Sequence, residues 1–322
     1  MAAITDVVPN DVADQITALR AGIATMVPAK TADNLVIGTW NIRDFDRVLP
    51  AWRSKAGDSP IRDLSDVLSM AEIIRHFDVA AIQEVRRSAE GFTELMQALG
   101  PGWGFLVTDV TEGAAGNNER LAFVFDTTRI RAAGLACEIV VPTAAASAPP
   151  PPLTGQFART PYAVSFARGA SAFTLVTLHV VYGTASTDRI AELTEIAQWL
   201  ARWAQQGDAW GTNLIALGDF NIDHSGDPLY DAFTSTGLQP AAQLNPLPRT
   251  IFDDPAPDAP PNHRHFYDQL AWFPGSTGTP TFGLGYTNAG LIDFTKLVPA
   301  DTQLQLSWRM SDHYPLWCEF TV

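Results

Sequence analysis

Cysteine appears twice and lysine three times in 322 residues, and these scarcities remove several classes of function at once. Cys137 and Cys318 are too few for a disulfide framework; a single bridge is the most the count allows, and two small core side chains is the plainer reading. With only Lys30, Lys55 and Lys296, the cations number 21 against 35 carboxylates, a formal net charge of −14. That excludes a surface that is basic all over, so a nucleic-acid partner requires a local basic patch. Low lysine goes with abundant alanine and reads as base composition rather than as a functional choice. The N-terminus, "MAAITDVVPNDVADQITALRAG", carries Asp6, Asp11 and Asp14 where a secretory signal needs a basic start and an unbroken apolar stretch. No signal peptide is visible, and a cytoplasmic protein is expected. No apolar run approaches the roughly 20 residues of a membrane-spanning helix, and no internal repeat is present.

What is present is a chain with 46% hydrophobic residues, enough to bury a large core in one large domain or in two. After an amphipathic stretch at about Asp11 to Met26, short β-rich runs alternate with helical patterns. The runs are "NLVIGTWNI" (34–42), "VAAIQEV" (79–85), "RLAFVFD" (120–126), "YAVSF" (162–166), "FTLVTLHVV" (173–181), "NLIALGDFNI" (213–222), "YDQLAWF" (267–273) and "LWCEFTV" (316–322). All have strand length and are bounded by Gly, Pro, Asn or Asp. Asp63 to Phe77 and Asp188 to Gln206 carry helical spacing, with Asp63 and Asp188 placed as N-caps. This alternation predicts an α/β architecture, and runs apolar on both faces predict sheets packed face to face. Two Pro-rich stretches, 141–155 and 245–265, read as loops leaving a single domain that spans 35–322, with 1–34 as a helical extension.

The residues that break these runs are polar and fall at comparable places. Asn41 ends the first run and Glu84 the second, Glu119 precedes the third, and His179 lies late in the fifth. Asp219 and Asn221 end the sixth, Asp268 opens the seventh, and Asp312 with His313 precedes the last. Several strands therefore deliver carboxylates, amides and two histidines to one rim. Alternate strand residues point the same way, so in "LGDFNIDHSG" Asp219 and Asn221 can face one ligand, with Asp223 beyond them in the loop. Such oxygen ligands suit a hard divalent cation such as Mg²⁺, and histidines oriented by carboxylates supply a general base and a general acid.

Each piece alone has a plainer reading. "GDFN" can be a turn whose Asp caps backbone amides, "SDH" a helix cap or loop, and Glu84 a strand leaving the core. A calcium loop over 219–230 is excluded, because His224 and Tyr230 stand where that loop needs Gly and Glu. His76 reads as a helix C-terminal cap or a partly buried residue, and His224 as a solvated loop position. His263 and His265 precede Asp268 closely enough for one of them to line the cleft. Trp40, Trp199, Trp203, Trp272 and Trp308 read mainly as core.

Taken in order, "TWNIRDF", "IQEVR", "NERLAFVFD", "FARTPYAVSF", "TLHVVYG", "LGDFNID", "YDQLAW" and "SDHYPL" resemble the endonuclease/exonuclease/phosphatase superfamily, and within it the pancreatic-type deoxyribonucleases. The resemblance runs from about Leu35 to the C-terminus. It implies a four-layer α/β sandwich, two packed mixed β-sheets flanked by helices, with the active site at one edge. It also implies Glu84 as principal ligand of Mg²⁺ (Mn²⁺ or Ca²⁺ substituting or assisting), with Asn41, Asp219, Asn221 and Asp312 around metal and phosphate. His313 with Asp268 and His179 with Glu119 match two His/carboxylate pairs, base and acid respectively, although the two roles can be exchanged. Arg159 matches a phosphate-contacting arginine, and Arg43 and Arg86 stand where the deoxyribonucleases place arginines along DNA. The plainer reading of those two is pairing with Asp44, Asp46 or Glu90.

Two departures matter. Asn117 and Asn118 stand where the pancreatic-type enzymes pack a tyrosine in the minor groove, which removes one duplex contact. A Pro-rich loop replaces their disulfide segment, which removes an argument for an extracellular enzyme. The resemblance therefore implies a Mg²⁺-dependent phosphodiesterase, a DNA endonuclease of low sequence specificity, with DNA or another phosphodiester as partner. The alternative is a phosphoesterase acting on a lipid head group or small phosphorylated compound, sphingomyelinase-like or inositol-phosphatase-like. A binding protein that has lost catalysis predicts gaps in the constellation, and no position is missing.

Overall fold

All eight apolar runs fold as strands, and their burial shows why they read as apolar throughout. The computed structural model describes residues 1–113, 115–142, 153, 155–206, 210–253, 264–275 and 282–322. In chain order the elements are α1 (Asn10–Ile23), β1 (Asn34–Phe45), α2 (Leu64–Ile74), β2 (Val79–Arg86), α3 (Glu90–Leu99), β3 (Trp103–Val107), β4 (Glu119–Asp126) and β5 (Arg131–Glu138). They continue with β6 (Tyr162–Arg168), β7 (Ser171–His179), α4 (Thr187–Gln205), β8 (Leu214–Asp219), α5 (Pro228–Thr234), β9 (Gln239–Pro240), β10 (Asp268–Trp272), β11 (Gly285–Leu291), α6 (Gln303–Arg309) and β12 (Leu316–Thr321).

The strands form two six-stranded sheets, ordered β11-β12-β1-β2-β4-β3 and β5-β6-β7-β8-β10-β9. In each, one central pair is parallel (β1 with β2, β7 with β8) and the other pairs are antiparallel. Leu35 and Ile37 of β1 pack between the sheets against Val164, Leu175 and Leu217, while Val36 and Trp40 point the other way into a cluster with Val67, Met70 and Ile74 of α2. Leu178, Ala216 and Ala271 face the opposite layer, with Leu193, Ile196 and Leu200 of α4 and Phe233 of α5. Period-two side chains with both faces buried give the continuous apolar runs, and the result is the expected four-layer α/β sandwich.

β3, β5, β9 and β11, which have no matching apolar run, are the four sheet edges. An edge strand has one face or one side in water; β5, for example, alternates exposed and half-buried residues. Asp63 is an N-cap as expected: its carboxylate accepts from Ser65 N and Asp66 N in a capping box with Asp66. Asp188 is not. Its helix begins at Thr187, and its carboxylate turns back to accept from Thr184 N (2.9 Å) and Ala185 N (3.0 Å), closing the preceding turn instead.

α1 packs on the same face as α2, burying Leu19 and Ile23, and Arg20 Nε meets Glu72 Oε1 at 2.7 Å. Cys137 and Cys318 are both free, the latter fully buried. His76 follows α2 and is half-buried, 3.8 Å from Glu72 Oε1. Residues 143–152 and 254–263, within the two Pro-rich stretches, lie outside the described residues. No described helix is long and apolar enough to cross a membrane.

Candidate active site

Parallel pairing brings the C-terminal ends of β1 and β2, and of β7 and β8, to one edge; their antiparallel neighbours β4, β10 and β12 start there. The register fixes the meeting: His179 lies opposite Asp219, Asp219 opposite Asp268, and Arg86 opposite Glu119. Asn41, Glu84, Glu119, His179, Asp219, Asp268 and His313 are thus delivered from seven chain segments to one rim.

The rim is built with local strain. β1 and β2 both slip register there, and Arg43, Asp44, Glu84 and Asn221 have φ of 42°, 47°, 63° and 51°. Positive φ in non-glycine residues is costly and clusters where function demands it. Glu84 is held in this conformation by Asn41 Nδ2, which donates to its Oε1 at 2.9 Å, and by Asp44 N, which donates to Oε2 at 2.7 Å. Gly218 has a separate reason: at φ 133° any Cβ would sit 2.1 Å from the Leu178 carbonyl oxygen, so only glycine lets β7 and β8 approach so closely beside His179 and Asp219.

One atom sits at the centre. Asp219 Oδ2 lies 3.1 Å from Asn41 Nδ2, 3.6 Å from His179 Nε2 and 3.9 Å from His313 Nε2. Behind each imidazole stands a buried carboxylate: His313 Nδ1 donates to Asp268 Oδ2 at 2.6 Å, and His179 Nδ1 lies 2.9 Å from Glu119 Oε2. Both expected pairs are therefore present, and both turn Nε2 toward Asp219. Arg159 joins the second pair, its Nε 2.6 Å from Glu119 Oε2, and Asn117 Nδ2 donates to Glu119 Oε1 at 2.7 Å. Asn117 and Asn118 both have φ of 57°, a conformation that asparagine tolerates, so the departure from tyrosine there coincides with a left-handed turn that supports Glu119.

Burial pushes the Glu119 carboxyl up, but His179 and Arg159 with the Asn117 amide outweigh it and hold it at about 2. Burial and Arg159 pull His179 down, and Glu119 with Asp219 overcomes them, leaving the imidazole above its ordinary value. Burial likewise opposes the charged form of His313, yet Asp268, Asp219 and Asp312 hold it well above that value.

The remaining expected residues take different places. Asn221 Nδ2 donates to the Val180 carbonyl at 2.7 Å, and Arg189 NH1 donates to the Asn221 carbonyl at 2.5 Å. Asp312 lies outside the two clusters, its Oδ2 3.0 Å from Arg43 NH1. Arg43 also donates to Ser307 Oγ at 2.8 Å and lies 4.0 Å from the Trp308 ring. Trp308 is therefore half-exposed under an arginine rather than core, whereas Trp40, Trp203 and Trp272 are buried. Arg86 pairs with Asp44, donates to the Asn117 carbonyl and lies 3.5 Å from Glu119 Oε1. His263 is outside the described residues.

The supporting residues were not evident in the sequence. Ser311 Oγ donates to the Asn41 carbonyl at 2.6 Å and accepts from His313 N at 3.0 Å, joining "TWN" to "SDH". Arg62, fully buried, donates to the carbonyls of Ile42, Arg43, Arg309 and Met310. Arg249, equally buried, donates to the carbonyls of Asp268, Leu244 and Leu247. Burial lowers each guanidinium to about 10. Tyr182 and Tyr267 flank the rim, and burial, Tyr182 and the carboxylates of Asp219 and Asp223 keep the Tyr267 hydroxyl protonated. Nearness to motif histidines and aspartates was the one available signal for the tyrosines; the arginines sit in segments that read as loops.

Among the described residues two groups offer ligand atoms within 4.8 Å of one another: Glu84, Glu119 and His179, and Asp219, Asp268 and His313. In each group the imidazole Nδ1 already faces its own carboxylate. The oxygen atoms of Glu84 and Asp219, drawn together by the shared Asn41 amide, are the hard donors that fit a divalent cation.

Residues 38–313 match the model of the endonuclease/exonuclease/phosphatase family. The chain belongs to that family. Its members hydrolyse phosphoester bonds. Among curated proteins, a "Deoxyribonuclease" of Thioalkalivibrio sp. (strain K90mix) is 24% identical over 315 residues, covering 92% of this chain and 74% of its own length. Among solved structures, the catalytic domain of human nocturnin with bound sulfate aligns with a TM-score of 0.58 at 17% identity, over 90% of this chain and 95% of that one. The mannosyl-6-phosphatase of Bacteroides thetaiotaomicron aligns with a TM-score of 0.56 at 17% identity, over 89% and 100%. At such identities these structures speak for the fold alone.

Proposed function

We propose that this chain is a Mg²⁺-dependent phosphodiesterase, a DNA endonuclease of low sequence specificity, with 35–322 as its catalytic unit. The observation that carries the reading is the pair of carboxylate-backed imidazoles turned toward one Asp219 oxygen. An imidazole held at Nδ1 by a carboxylate has a fixed tautomer and a favoured charged form, which is what proton transfer at Nε2 requires. His313 with Asp268 takes a proton from the attacking water, and His179 with Glu119 gives one to the leaving oxygen; exchanging the two roles preserves the scheme. Arg159 and Asn221 stabilise charge on the phosphoryl oxygens. Glu84, Asp219, Asn41 and Asp312 are the residues that would hold Mg²⁺, which when bound neutralises developing phosphoryl charge. Mn²⁺ or Ca²⁺ can substitute or assist. The named relative supports a nuclease.

One observation favours a second reading, hydrolysis of a small phosphorylated compound or lipid head group. Arg43 and Arg86, the expected cationic strip, are both engaged by carboxylates, and their side chains are only 20% exposed.

The test is nicking of supercoiled plasmid by purified protein with Mg²⁺, with chelator and His179→Ala as controls. Nicking that disappears in both controls establishes the nuclease. Hydrolysis of an activated phosphodiester without nicking selects the second reading.

A further inference from the structure

A series of neighbouring rings leads outward from His313 through Tyr267 to a third His/carboxylate pair. The Tyr267 ring lies 5.8 Å from the His313 ring, and the His265 ring stacks on Tyr267 at 4.4 Å with 25° between planes. His224 follows at 6.1 Å. His265 Nδ1 donates to Asp253 Oδ1 at 2.7 Å, and the His265 backbone N–H donates to the same oxygen at 3.1 Å. The Asp253 side chain is wholly buried, whereas that of His265 is 42% exposed. Arg249 N donates to the other carboxylate oxygen at 3.2 Å, so the carboxylate is anchored independently of the ring it orients. This is the construction of His179 and His313 repeated beyond the Tyr267 ring, with no partner for Nε2 among the described residues.

We propose that His265, oriented by Asp253, is a phosphate subsite that holds the phosphodiester next along the strand from the scissile one, and that the substrate is therefore a polynucleotide. This rests on the nuclease reading. An imidazole whose Nδ1 is committed to a buried carboxylate has three uses for Nε2, proton transfer, metal ligation and anion binding, and His265 is in neither group of described residues that could hold a metal ion. His265 is separated from His313 by the whole Tyr267 ring, which leaves anion binding. With Asp253 accepting from Nδ1–H, a phosphate oxygen accepts from Nε2–H in a charge-assisted bond. In a protein of net charge −14 this supplies a local N–H donor to phosphate where Arg43 and Arg86 are already paired. A small phosphomonoester has no second phosphate to place there.

The experiment compares wild type, His265→Gln and His265→Arg as full chains with Mg²⁺, on a single-stranded oligonucleotide and on bis(p-nitrophenyl) phosphate. In His265→Gln, kcat/KM on the oligonucleotide is expected to fall about tenfold further than on the small diester, mainly through KM. The slope of log KM against log salt becomes shallower by about 0.7, the loss of one phosphate contact on a single strand. His265→Arg, which places an N–H donor at the same position, recovers most of the oligonucleotide activity. Equal losses on both substrates, or an oligonucleotide KM and salt slope unchanged in His265→Gln while wild type cleaves the oligonucleotide, overturn the subsite alone. A wild type that hydrolyses the small diester and leaves nucleic acid intact overturns the subsite and the nuclease reading together.

Discussion

Glu119→Gln keeps the volume of a side chain that meets Arg159, His179 and Asn117, with Arg86 at 3.5 Å, and removes its charge. The carboxylate is enclosed, with Arg159 Nε at 2.6 Å, His179 Nδ1 at 2.9 Å and Asn117 Nδ2 at 2.7 Å. Taking one member out of a buried ion pair leaves its partner uncompensated, at a cost of about 3–5 kcal/mol. For 322 residues at about 2.1 cal/mol/K each, the unfolding entropy is about 0.7 kcal/mol/K, so the melting temperature falls by about 4–7 °C. Because Glu119 is held at about 2, below its ordinary 4.5, its charge contributes stability above that ordinary value and loses it as pH falls toward about 2. The amide variant lacks this part of the acid limb.

Activity separates the catalytic role from the structural one. The Gln oxygen still accepts from His179 Nδ1, but it no longer favours the imidazolium that protonates the leaving oxygen. General acid catalysis is worth about 10²–10⁴, so cleavage of an unactivated phosphodiester should fall about 10³-fold in folded protein. A p-nitrophenolate leaves without a proton, so bis(p-nitrophenyl) phosphate should lose no more than about tenfold. Steady-state turnover on both substrates, below the variant's melting temperature, decides the matter. Equal losses on the two substrates would refute the assignment of His179 as acid.

Two further perturbations test the support of the site. Gly218→Ala forces a side chain into a φ of 133° and a Cβ to 2.1 Å from the Leu178 carbonyl, so it should cost more than about 2 kcal/mol in urea unfolding and displace Asp219 from His179; a variant as stable and active as wild type would show that β7 and β8 are farther apart. Glu192, buried on α4, accepts from Val181 N and Ala158 N, and burial raises it to about 7. A raised carboxyl gives stability that is present at low pH and lost as pH rises from 4.5 through about 7, so Glu192→Gln should flatten that slope and gain up to about 3 kcal/mol at pH 8. Parallel stability-versus-pH curves for the two proteins would sink this reading.

The central strands were legible in the sequence because both of their faces are buried, which writes them as unbroken apolar runs. β3, β5, β9 and β11 were not, because an edge strand need not be apolar on either side. Asn41, Glu84, His179 and Asp219 were legible for a related reason: a polar residue interrupts a buried run only where the strand leaves the core, and these interruptions coincide at one edge. Arg62 and Arg249 left no such trace. Their partners are backbone carbonyls, which every sequence possesses, so no complementary residue marks where a buried guanidinium belongs. Asp312 shows the opposite limit. Its place in "SDHYPL" was clear, but its ion pair with Arg43 depends on a crossing between the start of β12 and the end of β1 that spacing along the chain cannot display.

The buried arginines also bear on how an acidic protein meets an anionic substrate. Loops that follow strand ends leave carbonyls unpaired, and a planar guanidinium with five donors satisfies several at once, which a lysine ammonium cannot do in fixed geometry. Arg62 and Arg249 do this beneath the rim, and Arg189 binds the Asn221 carbonyl while bridging both oxygens of Asp223 at 2.9 and 3.0 Å. Arg159 stands against Glu119 in the same enclosed layer. These guanidiniums lie among the buried carboxylates of Glu119, Asp219 and Asp268, so each is committed to backbone carbonyls or to a carboxylate. On the proposed nuclease reading, the pairing of Arg43 and Arg86 leaves few cations for phosphates, so binding is expected to depend only shallowly on salt.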